Sequence, residues 1–178
     1  MKAHFSSTEF YRELESSLPA SNMEIRKVWV TTIIEQGVDL KTLSGLLRCE
    51  QKVASRFLWL LSEIGLSDPN RLLSELPFLW NFCDQLNPIY KQSFASFWLI
   101  AGVPIENEGV AIEYLFQWLL STDTNVTIKS RVVLVLFKLT EKYPELKNEL
   151  RLCLQDQMTK YSKDFEKRVS KILLKIED

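Results

Sequence analysis

The sequence predicts an all-α fold, arranged as a right-handed α-α superhelix of about five helix pairs. Three observations support this prediction. Apolar residues recur with the period of amphipathic helices along nearly the whole chain. The five glycines and six prolines fall almost entirely where this periodicity ends or restarts, as expected of helices joined by short turns. Finally, one apolar pattern repeats in every second helix.

The individual helices follow from the apolar periodicity between turn signals. The predicted ranges are 7–18, 22–36, 40–48, 51–64, 69–86, 88–101, 106–121, 125–143, 145–159 and 163–176. Taken two at a time, they form five pairs. With 178 residues, of which 46% are hydrophobic and 25% charged, the chain is expected to form a single domain over residues 1–178.

Capping residues mark several helix starts. Ser6 with Glu9 and Ser21 with Glu24 have the spacing of a capping box. In this motif the serine oxygen and the glutamate carboxylate each accept a hydrogen bond from an unpaired backbone N–H group of the first turn. Asp68-Pro69 and Asn87-Pro88 place a capping side chain before a proline at the first helical position. Pro77 lies inside the fifth helix, which is therefore predicted to be kinked or split.

A repeat emerges when the second helices are aligned from Asn22, Glu50, Asn87, Asn125 and Ser162, at spacings of 28, 37, 38 and 37 residues. Apolar residues follow three, seven and eleven positions later, on one helical stripe. These residues are Ile25, Val53, Tyr90, Ile128 and Phe165, then Trp29, Phe57, Phe94, Val132 and Val169, then Ile33, Leu61, Trp98, Leu136 and Leu173. Fifteen positions on, Gly37, Gly65 and Gly102 are predicted to form left-handed C-caps.

One helix pair cannot bury such a stripe alone, but stacked pairs can, which favours a solenoid over its competitor, a compact helical bundle without a repeat. The segment 123–132, DTNVTIKSRV, followed by Leu134-Val135-Leu136-Phe137, resembles the turn and second helix of a HEAT repeat. In that family an acidic or Asn turn precedes a Val or Ile, a basic residue and an aliphatic helix. The resemblance implies a HEAT/ARM-like solenoid and says little about function.

A second resemblance runs from Ile105 through Phe116-Gln117-Trp118-Leu119 to the lysine-rich last helix. This arrangement is similar to a group of small bacterial HEAT-like proteins that often carry the label adenylosuccinate lyase. Adenylosuccinate lyase itself is a much longer chain that relies on a serine-containing loop and on histidines. This chain has His4 alone.

The sequence offers few candidates for catalysis or for cofactor binding. His4 is the single histidine, which argues against acid–base, Ser/His and Cys/His chemistry. Cys49, Cys83 and Cys153 are too far apart for a zinc knuckle and are expected to be reduced core thiols. No glycine-rich phosphate loop is present. Glu106, Glu108 and Glu113 are expected to stabilise the N-terminus of a helix by their interaction with its dipole. We therefore predict no catalytic residue, cofactor or metal.

Neither a signal peptide nor a membrane span is expected, and the predicted location is the cytoplasm. Residues 1–18 carry Glu9, Arg12, Glu13 and Glu15 and lack the apolar core of a signal peptide, and no later apolar run is long enough to span a bilayer. The net charge of −1 excludes the global basic excess typical of non-specific nucleic-acid binding.

Charge is nevertheless segregated between helices. First helices with their turns contain seven Lys/Arg and fourteen Asp/Glu residues, whereas second helices contain fourteen and seven. In a HEAT-type stack the second helices line the concave surface, which would then be basic. The residues predicted to bind a partner there are Arg26, Lys27, Arg56, Lys91, Lys129 and Arg131. The alternative is that these basic residues are solvated and form ion pairs with acidic residues of adjacent repeats. Trp59 lies nearly opposite the apolar stripe and is expected to pack in the concave seam.

The sequence thus favours a non-catalytic interaction module whose concave face binds an acidic protein segment. Two alternatives remain open at this point: a HEAT-like protein that binds nucleic acid, and a lyase or hydrolase. The partner and the oligomeric state do not follow from the sequence.

Overall fold

The computed structural model describes residues 6–177. Over this range the chain is all-α, with ten α-helices and no strand, which confirms the predicted fold class and the order of the helices. His4, the single histidine, lies outside the described residues. The helices are α1 (Ser7–Ser17), α2 (Met23–Glu35), α3 (Leu40–Leu43), α4 (Gln51–Ser67), α5 (Pro69–Phe82), α6 (Phe94–Ala101), α7 (Glu108–Leu120), α8 (Val126–Lys142), α9 (Leu146–Gln157) and α10 (Lys163–Glu177).

Local side-chain caps explain most of the helix starts. Ser6, Asn22 and Asp68 accept hydrogen bonds from the backbone N–H groups of Glu9, Ile25 and Arg71. The predicted capping box at Ser21 is wrong. Ser21 is buried and its hydroxyl donates to the carbonyl of Leu18, so that Asn22 caps α2 instead.

Two predicted helices are only partly α-helical. Predicted helix 40–48 consists of α3 and a 3₁₀ segment, Ser44–Arg48, and predicted helix 88–101 begins with the 3₁₀ segment Pro88–Ser93 before α6. In contrast, α5 continues through Pro77, so that of the predicted kink or split the split is absent. A proline removes one donor from the helix, and the packing of Leu76, Leu79 and Trp80 in the core holds the remaining turns together.

The glycines serve two different purposes. Gly37 and Gly102 have φ angles of 61° and 93°, in the left-handed region predicted for C-caps. The prediction for Gly65 is wrong, because α4 continues two residues beyond it. A Cβ atom at Gly65 would lie 2.3 Å from Cδ2 of Leu72 and 3.3 Å from Cγ2 of Ile100. Gly65 therefore permits the close approach of α4 to its neighbours.

The chain divides into two compact units, Met1–Pro104 and Ile105–Asp178. In the first unit, the second helices α2, α4 and α6 are neighbours, and α5 packs against α4 and α6. Trp80 of α5 lies 5.0 Å from Phe94 and 5.2 Å from Trp98 of α6 between ring centroids, forming an aromatic core. The predicted stripe faces this core, except that Ile25 is 42% exposed.

In the second unit, α7 packs against α8 and α9, and α10 packs against α8 and α9. Helices α8 and α9 also contact each other, so each of these four helices packs against at least two of the others. Its core contains the apolar stripe residues Val132, Leu136, Phe165 and Val169, all essentially inaccessible to solvent. The single domain over residues 1–178 and the right-handed superhelix remain predictions.

Candidate functional site

Three of the six predicted partner-binding residues are buried. Arg26 is 8% exposed, Lys91 is 7% exposed and Lys129 is fully buried. Each lies four residues after an aligned asparagine, Arg26 and Lys129 in the first turns of α2 and α8 and Lys91 in the 3₁₀ segment before α6. Their burial corrects the expectation of an exposed basic ridge through these positions. The physical reason is that each cation has a partner inside its own unit.

Arg26 connects α2 to α4. Its Nε donates to Oε1 of Glu63 at 2.9 Å, and its Nη1 donates to the backbone carbonyl of Ser21 at 3.2 Å. A guanidinium group has several donors in a fixed plane, so it satisfies both acceptors at once. Arg26 is therefore a structural link within the first unit.

Lys91 and Lys129 have equivalent roles. The ammonium of Lys91 forms an ion pair with Asp84 and lies 4.2 Å from the ring centroid of Trp80. The ammonium of Lys129 donates to the carbonyl of Leu119, at the end of α7, and lies 4.8 Å from the ring centroid of Tyr161. A buried charge is tolerated only when it is paired or hydrogen-bonded, and these contacts meet that requirement.

The other three predicted residues remain accessible. Lys27 is exposed, and Arg56 and Arg131 are half-buried. The guanidinium of Arg56 lies 4.3 Å from the ring centroid of Trp59. Trp59 is 54% exposed, so the expectation that it packs in a seam is wrong.

The charge segregation is strongest in the second unit. Helices α8 and α10 contain nine Lys/Arg and four Asp/Glu residues, whereas residues 105–125 and 143–162, which include α7 and α9, contain three and seven. Because α8 and α10 contact each other, the two helices that carry the excess of positive charge are neighbours. The predicted basic second-helix face is thus concentrated here.

Six of these nine cations form what we call the α8–α10 basic face. Lys129 is left out because it is buried, Lys142 because it binds the buried Glu108, and Lys163 because it is the first residue of α10, one turn before Lys167. The Nζ atom of Lys175 lies 5.9 Å from the ring centroid of Phe137 on α8, which places this side of α10 beside α8. The face consists of Arg131, Lys138, Lys167, Arg168, Lys171 and Lys175.

Sequence reasoning selected Arg131 for the partner-binding set but not Lys138, Lys171 or Lys175. The available signal was the spacing of Arg168, Lys171 and Lys175, which recur every three or four residues and therefore share one side of a helix. The predicted partner-binding residues were chosen from positions shared by several repeats, and this cluster is specific to the last helix.

The acidic residues near α7 do not form a carboxylate pair. Glu106 and Glu113 are exposed, whereas Glu108 is buried and accepts hydrogen bonds from Lys142 at 2.6 Å and from the hydroxyl of Tyr143 at 2.5 Å. The hydrogen bond from Lys142, followed by that from Tyr143, lowers the pKa of Glu108 below its ordinary value of 4.5. A general acid at neutral pH needs a raised pKa, so Glu108 is suited to a structural ion pair.

Two shallow clefts are present among the described residues. One, of about 330 Å³, is lined by Lys147, Asn148, Arg151 and Ile176. The other, of about 320 Å³, lies beside α1 and is lined by Ser7, Thr8, Tyr11, Arg12, Glu15 and Thr42. Neither contains two carboxylates, and residues 6–177 contain no group of His, Cys, Asp and Glu side chains arranged to hold a metal ion.

The cysteines are free thiols in different surroundings. Cys83 is buried, as predicted for all three, and burial raises its pKa to about 11. Cys49 and Cys153 are half-buried, which corrects the prediction that they are core residues. Desolvation raises the pKa of both thiols as well, so none of the three has the lowered pKa typical of a reactive cysteine.

None of the described helices combines the length and hydropathy needed to cross a membrane. Comparison with protein-family models, with curated proteins and with solved structures finds no match for this chain.

Proposed function

We propose that this protein is a non-catalytic interaction module of the HEAT-like solenoid type, which binds an acidic segment of a partner protein on the α8–α10 basic face. One observation supports the proposal: cations are concentrated on the neighbouring helices α8 and α10, while acidic residues predominate on α7 and α9. A basic surface of this kind attracts an acidic partner and repels a basic one. A cytoplasmic location belongs to the same proposal and rests on the three free cysteines.

Arg26, Lys91 and Lys129, which the sequence predicted to bind the partner, are not contact residues in this proposal. Each of these cations already has a partner within its own unit. Among the six original residues, Arg131 belongs to the proposed contact surface. Lys27 and Arg56 lie in the other unit.

The test measures binding of a fluorescent 20-residue peptide rich in glutamate, by anisotropy, to the wild type and to Lys171→Glu/Lys175→Glu. We expect the double variant to bind at least about tenfold more weakly, because two attractive contacts become repulsive. The matched control is Arg12→Glu/Lys41→Glu, which changes the net charge equally at exposed positions on α1 and α3. Helical circular dichroism should be unchanged in both variants.

Two results would contradict the proposal. Equal binding by Lys171→Glu/Lys175→Glu and the wild type would exclude the α8–α10 basic face. Equal loss in the control variant would show that only the net charge of the protein matters.

Nucleic-acid binding is the alternative that the same cations could serve, since phosphates bind Lys and Arg. We favour the acidic segment because six cations form a small footprint for a nucleic-acid backbone. A duplex and a single-stranded oligonucleotide, titrated in the same assay, separate the two functions. Tighter binding of either oligonucleotide than of the peptide would support the alternative. No observation on the described residues favours the enzymatic alternative.

A further inference from the structure

The first unit contains a tryptophan that the core does not use. Trp59 is 54% exposed, whereas Trp29, Trp80, Trp98 and Trp118 are between 1% and 6% exposed. Tryptophan has a large apolar surface, and leaving half of it in water forgoes much of the stabilisation that burial provides. Tryptophan and arginine are also the side chains most often found at the energetic centres of protein interfaces.

Two guanidinium groups accompany the indole of Trp59. That of Arg56, one turn earlier on α4, lies 4.3 Å from the ring centroid, and that of Arg26 on α2 lies 5.8 Å away. Glu63 already neutralises Arg26 at 2.9 Å. Arg56 forms no hydrogen bond or ion pair with any other described residue, so its donors are available to a ligand.

The residues around Trp59 leave it accessible. Ser55 and Ser62 lie about one turn before and after it on α4, and their small side chains do not cover the indole. Leu66, a further turn along the same side of α4, is 70% exposed. The surface therefore combines exposed apolar side chains with one available cation.

From this arrangement we propose that the α2–α4 surface around Trp59 binds a short peptide segment in which an apolar side chain is adjacent to a carboxylate. The apolar side chain packs against the indole of Trp59. The carboxylate accepts hydrogen bonds from Arg56, whose stacking on the indole holds its guanidinium in a fixed orientation.

Charge complementarity favours a peptide over nucleic acid at this surface. Helices α2 and α4 together contain four cations, Arg26, Lys27, Lys52 and Arg56, and three acids, Glu24, Glu35 and Glu63. A phosphate backbone requires a continuous run of cations, and a net charge of about +1 does not supply it. One or two carboxylates beside an apolar residue match this surface in both charge and polarity.

The experiment pans a random 12-residue peptide display library against the full chain, with the Arg56→Glu/Trp59→Ala variant as counter-selection. We expect enrichment of peptides with Asp or Glu next to Leu, Ile, Val or Phe. A synthetic copy of an enriched peptide should bind Trp59→Ala at least about 30-fold more weakly than wild type, and Arg56→Ala about tenfold more weakly. Lys171→Glu/Lys175→Glu should bind it normally, which distinguishes this site from the α8–α10 basic face.

Tryptophan fluorescence provides a second measurement at the site itself. Because Trp59 is the exposed member of the five tryptophans, acrylamide quenching reports mainly on it. The bound peptide should reduce quenching in the wild type and have little effect in Trp59→Phe. Each of three results overturns the proposal: no enrichment, enrichment of basic peptides, or undiminished binding by Trp59→Ala. Protection of Trp59 by a single-stranded oligonucleotide but not by the peptide would also overturn it, in favour of base stacking.

Discussion

At the level of single residues, Arg26, Lys91 and Lys129 show how a buried cation can join a second helix to what precedes it. Each lies near the start of its second helix, Lys91 in the 3₁₀ segment that precedes α6, and each contacts a carbonyl or carboxylate near the end of the preceding element. The last carbonyls of a helix have no partner within that helix, so a positive charge placed there is favourable. These contacts are structural, although the residues resemble a binding face in sequence.

The clearest test of this role is Lys129→Ala. We expect the free energy of unfolding to fall by about 2–4 kcal/mol, because the substitution removes the hydrogen bond to Leu119 and leaves a cavity where the lysine stem packed. Urea denaturation followed by circular dichroism measures the change. The control is Lys27→Ala, at an exposed position on α2, where a change within about 0.5 kcal/mol is expected. Equal effects of the two substitutions would show that Lys129 is not buried as described.

Glu108 should make stability depend on pH in a defined direction. Its pKa is lowered from 4.5 in the folded state, so the ion pair with Lys142 contributes fully above that value and is lost as the pH falls through the lowered pKa. We therefore expect Glu108→Gln to be less stable than wild type at pH 7 and the difference to shrink below pH 4.5. Urea denaturation of both proteins across this range provides the measurement. A difference that stays constant down to pH 3 would contradict the assignment, and Glu106→Gln, at an exposed carboxyl, is the control.

At the level of helices, α4 organises the first unit. It contacts α2, α5 and α6, and its residues Phe57, Leu60, Leu61 and Ile64 are fully buried. The opposite side of α4 carries Trp59 and Leu66, so the same helix supplies both the core and the proposed peptide site. Gly65 belongs to the packed side, where it allows Leu72 and Ile100 to approach.

Two glycine substitutions should have opposite effects. Alanine is the better helix former by about 1 kcal/mol. At Gly65, however, the new Cβ would overlap the buried side chain of Leu72, so we expect Gly65→Ala to destabilise the protein by about 1–3 kcal/mol. Gly109 lies in the first turn of α7 with no atom within 4 Å of a Cβ, and Gly109→Ala should be neutral or stabilising by up to about 1 kcal/mol. Thermal unfolding of both variants compares them, and stabilisation by Gly65→Ala would refute the close packing.

At the level of the whole molecule, the division at Pro104–Ile105 separates two sets of contacts. The second unit, which we call unit 2, comprises Ile105–Asp178. It has its own core, its own ion pair between Glu108 and Lys142, and the α8–α10 basic face. A compact unit with its own hydrophobic core is able to fold alone. The two proposed binding surfaces thus belong to separately packed parts of the chain.

The corresponding prediction is that fragment 105–178 folds by itself. It should show a helical circular dichroism spectrum and a cooperative urea transition, because α7, α8, α9 and α10 bury one another. Fragment 105–160 is the control. It lacks α10 and therefore Phe165, Val169 and Ile172, and it should lose the cooperative transition. A non-cooperative transition of fragment 105–178 would show that unit 2 depends on the rest of the chain.

The sequence by itself determined the ten helices, their order, some of their caps and the apolar side of each second helix. These features depend on neighbours within about four residues, through capping side chains and the helical period. Proline and glycine positions were informative for the same reason, although Gly65 was misinterpreted because packing across helices overrides the local preference.

Only the tertiary structure decided which basic residues reach solvent. Arg26 is paired with Glu63, 37 residues away, and Lys129 with Leu119, 10 residues away, and neither contact is visible in a helical period. A cation beside an apolar stripe is buried if a neighbouring helix offers an acceptor, and it stays exposed otherwise. For that reason the contacts between helices, rather than the charge pattern, separated structural cations such as Lys129 from surface cations such as Lys171.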